Sequence, residues 1–130
     1  MKRVTGIGGI FFKCEDPEKQ KEWYAKHLGI DSGEYGATFE WREKDDPNQI
    51  GYTAWSTFKA DSKYFFPSTK PFMFNYRVEN LKELLKALKD EGVTVVGEVE
   101  EFEFGKFGWI MDPEGNKIEL WEPNDENYLK

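Results

Sequence analysis

The chain has 130 residues, enough for one domain or for two small halves sharing a core, and a chain of this size buries roughly two-thirds of its unfolded surface. A net charge of −7 excludes nucleic acid and anionic membranes as partners, because counterion release needs clustered Lys and Arg. The lone Cys14 excludes a disulfide framework within the chain, and with neither an apolar run of roughly 18 residues nor a signal-peptide pattern, a soluble cytoplasmic protein is expected.

Thr5 to Cys14 alternates as a strand, with Ile10, Phe12 and Cys14 on one face and Ile7, Gly9, Phe11 and Lys13 on the other. Asp16 and Pro17 then supply a cap and a first-turn proline for a helix that runs to Leu28 and stops at Gly29. Trp23, Tyr24 and Leu28 make up its apolar set, and His27, in the last turn, reads as a structural residue facing the helix dipole. Gly36 to Glu43 alternates Phe39 and Trp41 against Thr38, Glu40 and Arg42. Asp45 to Gln49 is a turn, and Gly51 to Phe58 is the hairpin partner.

Lys59 to Pro71 has no sustained period and reads as the connection between halves, with a short strand at Tyr64 to Phe66. Phe72 to Val78 is again a strand, with Met73, Asn75 and Arg77 on one face. Asn80 caps a second helix whose Leu81, Leu84, Leu85 and Leu88 form a stripe ending at Gly92. From Thr94 to Phe104 the alternation slips between Glu100 and Glu101, which predicts a bulge there. Glu98, Glu100, Glu101 and Glu103 read as charges guarding a sheet edge. Phe107 to Met111 is a strand leading into the turn at Asp112–Asn116, after which Ile118 and Leu120 alternate with Lys117, Glu119 and Trp121. A carboxylate at Glu119, between two apolar neighbours, is the chemistry-bearing residue of this stretch.

Adding 64 to Ile10, Phe12, Cys14 and Asp16 gives Phe74, Tyr76, Val78 and Asn80, which keeps strand faces and helix caps in register. Order and period together predict a duplicated βαβββ unit. The expected span is one domain over residues 1–130, with module one at about 4–60, a connection at about 61–71 and module two at about 72–123.

The stretches GIFFKCEDPEKQKEWYAKHLG, FNYRVENLKELLKALKDEGV and above all DPEGNKIELWEP resemble the vicinal-oxygen-chelate superfamily, which holds glyoxalase I, extradiol dioxygenases and bleomycin-resistance proteins. The resemblance implies an α+β fold, two βαβββ modules forming a curled mixed sheet around a cleft, and a homodimer. In the metalloenzymes of that superfamily the ligands come from the first and last strands of each module. The matching positions here are Gly9, Met73, Glu119 and a place near Trp55. Glycine offers only backbone, a thioether is too soft for hard divalent ions and indole only donates, so no metal site and no cofactor are expected.

The face opposite the helices is expected to line the cleft, with Phe11, Lys13, Trp41, Trp55, Met73, Asn75, Arg77, Trp109 and Trp121 as ligand-binding residues and Gly9 leaving room for ligand atoms. Two main functions remain open on the residues. One is a metal-free protein that binds a small aromatic or mixed apolar–polar molecule, oriented by Arg77 and Glu119. The other is a metal-independent lyase or isomerase with Glu119 as general base and Lys13 or Arg77 stabilising an oxyanion. A structural module, its cleft plugged by its own side chains, is a third.

Overall fold

The alternating stretches Val4–Cys14 (β1) and Phe72–Val78 (β4) pair antiparallel at the middle of the molecule. The structure, a computed structural model, describes residues 2–124, so both ends of the expected 1–130 domain, Met1 and residues 125–130, lie outside the described residues. Around the central pair the chain adds Ala37–Arg42 (β2), Ile50–Lys59 (β3), Val95–Phe102 (β5), Gly105–Met111 (β6) and Lys117–Pro123 (β7), with helices Pro17–Leu28 (α1) and Leu81–Asp90 (α2). One mixed, curled seven-stranded sheet results, in the order β2-β3-β1-β4-β7-β6-β5. The β1–β3 and β4–β7 pairs are parallel, each with a helix in its crossover, and the others are antiparallel.

Ile10 and Phe74, the two residues related by the offset of 64, are direct partners in the β1–β4 ladder. The local two-fold relating the halves therefore passes between them. The second half carries β4, α2, β5, β6 and β7, whereas in the first half residues 29–36 form only the isolated bridge Gly33–Gly36 where β5 has its place in the second.

Local chemistry sets the helix ends. The Asp16 carboxylate accepts from the Lys19 amide at 3.2 Å and the Asn80 side chain from the Glu83 amide at 3.3 Å. Gly29 at φ 70° and Gly92 at φ 88° take the left-handed conformation that ends each helix. The helices differ in what they bury. Leu81, Leu84 and Leu85 of α2 pack with Val78, Ile110 and Leu120 in one core cluster. No residue of α1 is buried: Tyr24 packs edge-on to Phe12, while Trp23 and Leu28 of the expected apolar set stay 52% and 59% exposed.

Two expectations are corrected. Residues Tyr64–Phe66 form hydrogen-bonded turns and not a short strand, with the Phe66 amide donating to the Lys63 carbonyl and the Ser68 amide to the Phe65 carbonyl. The irregularity in β5 lies between Val96 and Glu100, where Gly97 takes φ 68°, and the Glu100–Glu101 pairing with Phe107 and Lys106 is regular. A positive φ needs glycine, so the break sits where glycine is available.

Candidate functional site

Register builds the site. Asn75 on β4, Glu119 on β7 and Trp109 on β6 are partners across adjoining strands, so their side chains share the sheet face that the helices leave uncovered. On this inner face Glu119 is 2% exposed. Asn75 Nδ2 donates to Glu119 Oε1 at 2.6 Å, Trp109 Nε1 donates to Oε2 at 2.9 Å, and the Tyr64 hydroxyl donates to Oε2 as well.

Burial pushes the Glu119 carboxyl above the usual carboxylate range, against the opposing pull of the donors Tyr64, Asn75 and Trp109 and the charge of Lys117. Burial, followed by the Glu119 charge, pushes the Tyr64 phenol up. Lys117 donates to the Tyr64 carbonyl at 2.8 Å and lies 5.4 Å from the ring centres of both Tyr64 and Trp109. Its ammonium is pulled below the usual lysine range by burial, while Glu119 and Glu100 pull the other way.

Alongside this row, Phe11, Met73 and Trp109 pack with Phe65, which is fully buried, and Lys13 Nζ stands 5.4 Å from the Phe65 ring. One alternation further on, Arg77 is paired with Trp121. Its guanidinium lies 5.0 Å from the Trp41 ring and 5.2 Å from the Trp121 ring, and donates to the Tyr52 carbonyl at 3.3 Å. Gly51 makes this sandwich possible, since a Cβ there would come within 2.3 Å of the Trp41 ring.

The structure thus gathers Glu119, Asn75, Trp109, Met73, Phe11 and Lys13 in one place and Arg77, Trp121 and Trp41 beside it. Trp55 does not join them: it packs against Phe12 and Tyr24 on the helix-covered face, because its register sets it opposite to Ala54 and Phe58. The space over Gly9 is also taken, since a Cβ there would lie 2.7 Å from the Phe11 ring. Side chains of the chain itself, chiefly Phe65, Phe11 and Met73, fill the centre of the expected open cleft. Tyr64 and Phe65 were invisible as site residues because they sit in a segment without periodicity. The available signal was three consecutive aromatics, Tyr64 to Phe66, in a connection otherwise made of polar residues and prolines.

The donor set does not fit the divalent metal that the fold resemblance implies. Both oxygens of Glu119 are occupied by donors of the chain, and Gly9 and Met73 offer nothing to a hard cation. The fourth position moves by one residue: Phe11, the counterpart of Asn75, is paired with Ser56, so Ser56 and not Trp55 corresponds to Glu119. The Ser56 hydroxyl donates to the Tyr35 carbonyl at 2.6 Å. No cluster of three or more His, Cys, Asp or Glu occurs among the described residues.

A family model described as Glyoxalase-like domain matches residues 9–121. Methylmalonyl-CoA epimerase from Mycobacterium tuberculosis is similar in structure with a TM-score of 0.67 at 18% identity, over 100% of this chain and 95% of that one. A Streptomyces coelicolor methylmalonyl-CoA epimerase variant, in complex with 2-nitronate-propionyl-CoA, gives 0.68 at 14% identity over 93% and 99%. The Mn(II)-bound glyoxalase from Novosphingobium aromaticivorans gives 0.62 at 17% identity, over 94% of this chain and 40% of that one. At these identities the likeness is one of fold alone. Among curated proteins, no sequence matches it.

Proposed function

The chain belongs to the glyoxalase-like domain family, and on that premise we propose that its inner face binds a small aromatic or mixed apolar–polar molecule without a metal. What supports this reading is one observation: a buried carboxylate, Glu119, ringed by Trp109, Tyr64 and Asn75, with no second anionic or imidazole ligand at the strand positions where a cation would be held. Flat apolar surfaces around a few convergent polar groups are the usual make-up of a small-molecule site. Access is from the side of Tyr64, which is 41% exposed although its hydroxyl reaches Glu119.

A metal-independent lyase or isomerase is the second reading, favoured by the raised carboxyl of Glu119, which suits a general base. Binding is preferred because three donors of the chain, one on Oε1 and two on Oε2, already engage that carboxylate and weaken it as a base. We also propose a homodimer formed along the strip between the helices, where Ile7, Ile10 and Phe74 are 41–49% exposed around the local two-fold; a register shift between Ile7 and Gly9 turns Ile7 to the Ile10 face, away from the Gly9 and Phe11 face that alternation predicts. Within each chain the modules at about 4–60 and 72–123 then work as one domain. No helix of the described residues is long and apolar enough to cross a membrane.

The test is a screen of aromatic compounds by NMR on the full chain, reading the indole N–H resonances of Trp109 and Trp55. A ligand of this site shifts Trp109 and leaves Trp55, on the helix-covered face, in place. Chelation, or addition of Mn²⁺, Ni²⁺ or Zn²⁺, is expected to leave the melting temperature unchanged. A stoichiometric cation lost on Glu119→Ala, or a library in which no compound moves Trp109, overturns the reading. Once a ligand is known, Glu119→Gln separates the two readings: lost turnover with affinity kept marks an enzyme.

A further inference from the structure

Tyr64 is held as a ligand would be. Its ring stacks on Phe58 with centres 5.6 Å apart and planes 16° from parallel, and it meets the edge of Trp109 at 6.3 Å and 89°. Lys117 Nζ stands 5.4 Å from its ring centre, and its hydroxyl donates to Glu119 Oε2. The backbone beneath it is fixed independently, by Lys117 donating to the Tyr64 carbonyl and by the fully buried Phe65 next in sequence. The ring can therefore leave by rotation about Cα–Cβ toward solvent, where the residue is already 41% exposed, without moving the turn.

We infer that the Tyr64 side chain is a built-in occupant of a phenol-binding slot, and that the molecule taken up on this face carries a neutral phenol that displaces it. This rests on the binding reading above and specifies its ligand. Each wall selects for a part of that group. Phe58 and Trp109 receive a flat ring, and the Lys117 ammonium favours an electron-rich one. Glu119 Oε2 requires a hydroxyl donor at the ring's edge, because without one it keeps only the Trp109 N–H. A phenolate is rejected by the same carboxylate. While Tyr64 occupies the slot, the apparent affinity for a free phenol is lowered by the fraction of molecules in which the ring is out.

The experiment titrates phenol, anisole and benzene into wild type and Tyr64→Ala, following the Trp109 indole N–H. Phenol is expected to shift that resonance saturably in both proteins, at least about tenfold more tightly in Tyr64→Ala. Phenol should also exceed anisole by about tenfold, since anisole has no proton to donate. Binding in wild type should fade as pH passes about 10, where a phenol ionises. Equal affinity for anisole and phenol overturns this inference and leaves aromatic binding on the inner face standing. If none of the three moves Trp109 in either protein, both readings fall. Should Tyr64→Ala fail to fold, Tyr64→Phe takes its place: it weakens the occupant by removing its hydroxyl, and must bind phenol more tightly than wild type or the inference fails.

Discussion

Glu119 is the buried carboxylate of the inner face, and its energetic sign follows from its surroundings. Its folded pKa is raised by burial, so its contribution to stability is fully present below the ordinary glutamate range and is lost as pH rises through the folded value. In Glu119→Gln the amide oxygen accepts from Trp109 and Tyr64. The new NH2 group meets Asn75, whose Oδ1, unpartnered in the structure, turns to accept it. The difference in unfolding free energy, wild type minus Glu119→Gln, is therefore expected to fall with rising pH from about 4.3 upward, as measured by urea unfolding across pH. A difference that rises over that range contradicts the burial argument. Lys117 acts in another window: its pKa is lowered by burial, so its stabilising contribution is lost as pH falls through a value below the usual lysine range. A carboxylate at position 119 was legible in the alternation of Lys117–Trp121, and Asn75 and Trp109 were readable as facing the same side; that both donate to it, and that Tyr64, 55 positions away, joins them, could not be read.

The elements differ in how much each depends on distant partners. Helix α2 buries its leucine stripe, so Leu84→Ala is expected to cost about 2–5 kcal/mol, while Leu28→Ala in α1, at a 59% exposed position, changes stability by under about 0.5 kcal/mol. Removing the cap with Asn80→Ala costs about 1 kcal/mol. Thermal or urea unfolding of the three variants checks the order, and an equal loss at Leu28 and Leu84 refutes the asymmetry. Both helices, both caps and the glycines ending them were readable because capping acts over three or four residues. The exposure of Trp23 and Leu28 was not readable, since the α1 pattern has the spacing of an apolar face whether or not a sheet lies beneath it. Tyr64–Phe66 has the β-favouring residues of a strand, and tertiary packing of Phe65 onto Phe11, Met73 and Trp109 overrides that preference.

At the scale of the whole molecule, the central β1–β4 ladder joins the two halves, and the segment between them inserts Phe65 into the inner core. Variants keeping Trp55 or Trp109 as the single fluorescent reporter are expected to show coincident urea transitions, although the two rings lie on opposite faces and in different halves. Separated midpoints would show that the halves unfold independently. The chain's order of residues by itself determined both helices and their caps, the strands of the sheet though not the turns at Tyr64–Phe66, the turn at Asp112–Asn116, where the Asp112 carboxylate accepts from the Glu114 and Asn116 amides, and the 64-residue repeat. Each of these depends on contacts a few residues apart or on a periodicity visible along the chain. Only the tertiary structure decided that Trp55 faces a helix, that Ser56 is the counterpart of Glu119, and that Tyr64 folds back onto that carboxylate. Alternation shows that neighbouring side chains oppose one another, whereas which side is inward, and what covers it, is set by strand register and by packing between residues remote in sequence.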